Sequence, residues 1–140
     1  MVAEYGREVV KLGGKLMKAF SMNLGLQEDF LLDAFGGEEN VGACLRVNYY
    51  PRCPQPDLTL GLSPHSDPGG MTILLPDENV AGLQVRRNDS WVTVKPAPNA
   101  FIINIGDQIQ VPLIKIALFH FGYIYIYIYI YCLVNFTSFS

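Results

Sequence analysis

The chain has 140 residues, half of them hydrophobic, and a formal net charge of −3. That is enough for one domain with a real core, since a chain of this size buries roughly 68–70% of its unfolded surface, and it is too apolar to be disordered throughout. With 10 basic against 13 acidic residues and no basic run, it offers nothing to a nucleic acid.

Val2, Tyr5, Val9, Leu12, Leu16 and Phe20 recur at three- and four-residue steps, which predicts one apolar helix face over residues 2–22. Gly13 and Gly14 weaken that helix by roughly 1 kcal/mol each relative to alanine. It starts almost at Met1 without a capping residue, as a helix entered partway would, so further sequence is expected upstream. Glu4, Arg7 and Glu8 interrupt any signal-peptide core, and the expected location is the cytosol. Cys44, Cys53 and Cys132 are odd in number, far apart and without zinc-site spacing, and they read as thiols of a reducing compartment. A second helix near residues 28–35 is expected to stop at Gly36 and Gly37.

From residue 43 the period changes to two. Leu45, Val47 and Tyr49 alternate with Arg46, Asn48 and Tyr50, and "PRCPQP" continues as an extended, proline-stiffened connection. In "DLTLGLSPHSD" the leucines Leu58, Leu60 and Leu62 are expected on one face of a strand. Thr59, Gly61, Ser63, His65 and Asp67 fall on the other. Further short strands are predicted at "MTILL", "GLQVRR", "SWVTV" and "AFIINI", separated by the turn signals "PDEN", "RND" and "KPAPN". The expected fold class is mostly β with N-terminal helices, the helices packing outside an antiparallel sandwich or barrel.

Two patterns carry chemistry. His65 and Asp67, two apart, point to the same side of an extended chain. A neutral imidazole and a carboxylate are two of the three ligands of a facial triad that holds non-haem Fe(II). The other reading of the same residues is a turn, for which Asp67, Pro68, Gly69 and Gly70 are well suited. Asn48, Tyr50 and Arg52 also share a side. An amide, a phenol and a guanidinium on one wall suit an organic acid, and arginine grips carboxylates through paired hydrogen bonds. A solvated edge strand is the alternative.

Taken together, "NYYPRCPQP", the H-x-D of His65 and Asp67, and "GLQV", "WVTV" and "NIGD" resemble the catalytic core of plant 2-oxoglutarate- and Fe(II)-dependent dioxygenases over residues 4–111. Within that family the jasmonate-induced oxygenases are the most similar, then leucoanthocyanidin dioxygenase and flavonol synthase. The resemblance implies a partial double-stranded β-helix, or jelly roll. It implies His65 and Asp67 as metal ligands, and Asn48 and Tyr50 as contacts of the 2-oxoglutarate co-substrate. Fe(II) and 2-oxoglutarate are the implied cofactors, with a place for ascorbate. The implied reaction couples oxidative decarboxylation of 2-oxoglutarate to hydroxylation or desaturation of a small plant metabolite such as a jasmonate or flavonoid. Arg52 is not a general family ligand. It is expected to pair with a carboxylate on the main substrate.

The chain departs from the family after Val111. The family's second histidine, arginine and serine are not recognisable, and no arginine follows Arg87. His120 lies 53 positions past Asp67, close to where the third ligand falls, but Phe121 stands where the family has an arginine. This chain is therefore expected to be a truncated, inactive version of the enzyme, or a remnant domain with no enzymatic role. Three segments are expected: helical residues 1–42, a partial dioxygenase core at 43–111, and an aberrant apolar tail at 112–140.

"YIYIYIYIY", residues 123–131, is a strict two-residue repeat. Alternating TA dinucleotides encode just such a run, so the tail reads as translated intron. Ile116 to Phe136 carries no formal charge and is long enough to span a membrane. Against a membrane anchor, its tyrosines would put hydroxyls all round a helix, at roughly 2–7 kcal/mol for each one unpaired in hydrocarbon. As a strand the tail would patch an open sheet or aggregate.

Overall fold

The computed structural model of the chain describes residues 1–110 and the backbone of residues 127–134. Helix α1 spans Val2–Asn23, followed by two short helices, α2 at Phe30–Ala34 and α3 at Gly37–Asn40. Strands β1 (Gly42–Tyr49), β2 (Met71–Leu75), β3 (Leu83–Arg87), β4 (Ser90–Val94), β5 (Ile102–Ile105) and β6 (Tyr127–Val134) complete the order. A single 3-10 turn, Pro56–Leu58, lies between β1 and β2.

The first helix forms where its periodicity predicts, but it is turned slightly from the expected face. Val9, Gly13, Met17 and Ser21, four apart, are the buried positions, and Val2 is 69% exposed. A glycine and a serine carry no hydrophobic signal, so pattern reading passes over them. Ser21 is hidden because its hydroxyl is satisfied twice: it donates to the Met17 carbonyl at 2.9 Å and accepts from the Leu31 N–H at 3.1 Å. That second bond docks α2 onto α1, where Leu31, Leu32 and Phe35 enter the core. Lys18 reinforces the junction from outside, with Nζ 3.0 Å from Asp29 and 3.2 Å from Glu38. Gly36 takes the left-handed conformation, φ 93°, that ends α2, as the sequence predicts. Gly37 is not a second stop but the first residue of α3.

Four strands form a mixed sheet in the order β1-β6-β2-β5, and β3 and β4 form a separate antiparallel hairpin. The tail strand β6 lies between β1 and β2 and is parallel to both, pairing Leu45 with Ile130 and Ile73 with Ile130. The β2–β5 pair is antiparallel. The described strands make two separate small sheets alongside the N-terminal helices, with β2–β5 and β3–β4 antiparallel as expected, and the tail supplies parallel pairings that strand-by-strand reading does not anticipate. Within the hairpin, Asn88 adopts φ 56°, and Arg87 pairs with Ser90 across a two-residue turn.

The core lies where α1 and α2 meet β2. Met71, Thr72, Ile73 and Leu74 are all buried, so β2 is covered on both faces, which its unbroken apolar run fits. Ile109, from a helical turn over 107–110, is 1% exposed in the same cluster.

Two other expectations fail. No strand forms over 57–67, and Leu58, Leu60 and Leu62 are 81%, 75% and 52% exposed. Pro56 and Pro64 lack the N–H a ladder needs, and Gly61 between them adds chain entropy. In β1, Leu45, Val47 and Tyr49 do not pack inward; they are 37%, 61% and 58% exposed. Among the described residues, no helix is long and apolar enough to cross a membrane.

Candidate metal and acid-binding site

His65 and Asp67 lie in the loop before β2, not on a strand, yet the two-residue spacing still brings their side chains together. His65 Nε2 stands 3.4 Å from Asp67 Oδ1, with the imidazole 46% exposed and the carboxylate 11% exposed. The ring is held by its other nitrogen, since Nδ1 lies 2.8 Å from the Ser63 carbonyl oxygen. A carbonyl can only accept, so Nδ1 carries the hydrogen and Nε2 of the neutral ring presents its lone pair. In the neutral ring an unprotonated nitrogen then faces a carboxylate oxygen, whereas in the protonated ring the same contact is an ion pair. Two acceptors stay so close only around a cation, either a proton or a metal.

The separation suits a metal. With metal–ligand bonds of about 2.1 Å, two neighbouring donors stand about 3.0 Å apart in octahedral and about 3.4 Å apart in tetrahedral geometry. The Nδ1–H to carbonyl bond is the outer-shell contact that usually fixes a metal-binding histidine. The pair stands at the tetrahedral spacing, and closing by about 0.4 Å would bring it to the octahedral one that suits Fe(II). Among the described residues no group of three or more His, Cys, Asp or Glu side chains forms, so the described donor set stops at these two. His120 lies outside the described residues.

The acid-binding candidates come from β1 and the chain just after it. Asn48 and Tyr50 are half-buried. The Tyr50 ring packs on Gly61, within the stretch that leads to His65: a Cβ at position 61 would stand 3.1 Å from the ring carbons Cδ1 and Cε1. Tyr50 is thus beside the loop that carries the metal candidates. Arg52 is exposed and makes no ion pair among the described residues. Two depressions, about 720 Å³ at Gln27, Phe30 and Ala34 and about 450 Å³ at Ala3, Val10 and Leu45, are lined by neither His65 nor Asp67. Among the described residues the His65 imidazole is half-exposed while the Asp67 carboxylate is largely covered, so the pair is open on the histidine side.

Sequence reasoning passed over the residues that secure this loop. "NIGD" was legible as a motif, but not as a clasp. Gly106 N–H donates to the Gly70 carbonyl at 2.9 Å and Asp107 N–H to the Asp67 carbonyl at 2.8 Å. A Cβ on residue 106 would lie 2.0 Å from the Gly69 carbonyl oxygen, so only glycine fits there. A glycine followed by an acid at the end of an apolar strand is the signal that marks such a close approach.

Cys44 and Cys53 are free thiols, as their spacing suggests. The Thr59 hydroxyl, and then the Gln55 backbone, hydrogen-bond to Cys53 and hold its thiol below the ordinary range.

Comparison with known proteins agrees with the motif reading. Residues 41–120 match the 2OG-Fe(II) oxygenase superfamily. Jasmonate-induced oxygenase 2 of Arabidopsis thaliana is 69% identical over 111 residues, covering 79% of this chain and 30% of that protein. Flavanone 3-dioxygenase 2 of Oryza sativa subsp. japonica is 47% identical over 110 residues, covering 79% of this chain and 31% of that protein. Among solved structures, the crystal structure of JOX2 in complex with 2OG, Fe and JA aligns with a TM-score of 0.70 at 58% identity, over 79% of this chain and 32% of that one. The chain belongs to the 2OG-Fe(II) oxygenase superfamily, whose members use Fe(II) and 2-oxoglutarate. It spans about 30% of the length of the jasmonate-induced oxygenase that it matches.

Proposed function

We propose that this chain is the part of a 2-oxoglutarate- and Fe(II)-dependent oxygenase that supplies two iron ligands and one wall of the co-substrate site. The whole enzyme would oxidise a small plant carboxylate of the jasmonate kind. The observation that carries this reading is the approach of two metal-ligating side chains, His65 Nε2 and Asp67 Oδ1 at 3.4 Å, with the other ring nitrogen held by the Ser63 carbonyl. Its setting adds support: the relatives at 69% and 71% identity are jasmonate-induced oxygenases. The jelly-roll core implied by the family belongs to this proposal as well, with β2 and β5 as two of its strands.

Each residue then has a task. Ser63 fixes the His65 tautomer, and His65 and Asp67 hold the ion. Bound there, Fe(II) would supply the redox chemistry that couples decarboxylation of 2-oxoglutarate to oxidation of the second substrate. Asn48 and Tyr50 offer an amide and a phenol to the carboxylate and keto oxygens of 2-oxoglutarate. Arg52, exposed and without an ion pair among the described residues, is available to a carboxylate of the main substrate.

Calorimetric titration of the purified chain with 2-oxoglutarate, without and with Mn(II) as a redox-silent substitute, tests the proposal. Binding should appear only with Mn(II), vanish in His65→Ala and weaken several-fold in Tyr50→Phe. Metal-independent binding, unchanged by His65→Ala, would refute it. Release of labelled carbon dioxide under Fe(II) and oxygen should stay near background, since no arginine follows Arg87 to grip the far carboxylate.

A further inference from the structure

The loop that carries the candidate donors is stitched to one turn of the chain by four hydrogen bonds. Ser66, which sits between the donors, gives its hydroxyl hydrogen to Asp107 Oδ2 at 2.8 Å. Asp107 N–H reaches the Asp67 carbonyl at 2.8 Å, Gly106 N–H the Gly70 carbonyl at 2.9 Å and Gln108 N–H the Gly69 carbonyl at 3.2 Å. These bonds continue the β2–β5 ladder, whose last pair is Met71 with Ile105. They carry the order of the buried strand β2 past its end, up to the backbone of Asp67. Ile109, buried in the main core, anchors the turn from below. None of the four bonds uses the Asp67 carboxylate or the His65 ring, so the backbone is fixed while both donors stay available.

Resting on the metal reading above, we propose that the Gly106–Asp107 turn, with Ser66, is a positioning element that presets Asp67 against His65 before any ion arrives. Gly106 is required because any side chain would collide with the Gly69 carbonyl. Asp107 is required as an acceptor, not as a ligand: its Oδ2 is engaged by Ser66. The turn therefore acts through the ligands and touches no metal, and its loss lowers metal affinity more than it lowers stability. Outer-shell groups of this kind are worth about 10- to 100-fold in metal affinity.

The test is a Mn(II) titration of the whole 140-residue chain, read by the electron paramagnetic resonance signal of free Mn(II). Ser66→Ala and Asp107→Ala should each weaken binding about tenfold. Asp107→Asn, which keeps an oxygen acceptor for Ser66, should recover most of the loss. Thermal midpoints of the metal-free variants should stay close to that of the wild type. Wild-type affinity in Ser66→Ala and Asp107→Ala would overturn the inference while leaving the metal reading intact. So would an Asp107→Asn variant no better than Asp107→Ala, or an affinity loss matched by a comparable fall in midpoint. A wild-type chain that binds no better than His65→Ala would overturn the metal reading itself, and this inference with it.

Discussion

A single carbonyl oxygen, that of Ser63, decides which nitrogen of His65 faces Asp67. Loop residues are as constrained here as core residues, by hydrogen bonds instead of packing. Cys53 shows the same control on a thiol. The Thr59 hydroxyl lowers its pKa, so Thr59→Val should slow its alkylation by iodoacetamide at mildly alkaline pH. Cys44, exposed on β1, serves as an internal reference, and peptide mapping reads both rates. Equal Cys53 rates in the two proteins would remove the threonine from the account. At this scale the sequence was informative about residue types and silent about their support. The two-residue spacing of His65 and Asp67 brought them together even though the expected strand is absent. Ser66 and Asp107, 41 positions apart, have no shared pattern from which a contact can be read.

At the scale of elements, the periodic stretches became helices and strands, and misjudgements fell where small or proline-rich residues outweighed the pattern. Pro56, Gly61 and Pro64 kept 57–67 out of the sheet despite its alternating leucines. On α1, burial follows Gly13 and Ser21, one step round from the apolar stripe. Met17 lies at the centre of that buried face and is 0% exposed, so Met17→Ala should cost about 2–5 kcal/mol in denaturant unfolding. A loss well under 1 kcal/mol would mean that α1 does not pack on β2 as described. Lys18 ties α1 to Asp29 and Glu38, and their hydrogen bonds raise its pKa above the ordinary 10.5. A raised lysine gives its full stabilisation below its ordinary value and loses it as pH rises through the higher folded value. Lys18→Met should therefore flatten the alkaline limb of the stability profile above pH 10.5, and an unchanged limb would contradict the tie.

Across the whole molecule, β1 depends on the tail. Its only strand partner among the described residues is β6, and β6 joins it to the core through β2. Asn48, which pairs with Leu133, and Tyr50, just past the end of β1, thus depend on the tail strand that follows from the two-residue repeat. Ile130→Pro removes an N–H from the centre of β6, where one residue pairs with both Leu45 and Ile73. Amide exchange over residues 42–49 should then accelerate well beyond that of β2, whereas equal protection would show β1 held by something else. The tail reads in sequence as a strand fit to patch an open sheet; its place between β1 and β2 and its parallel direction do not, since both depend on partners more than 50 residues away.

The proposed site depends on His65 and Asp67 as a ready-made pair of donors, and nitrogen NMR of the histidine-labelled chain tests that most directly. Without metal, His65 should show hydrogen on Nδ1. Mn(II) should broaden its ring signals at concentrations that leave Asp67→Ala untouched. A ring with hydrogen on Nε2, or broadening that persists unchanged in Asp67→Ala, would contradict it.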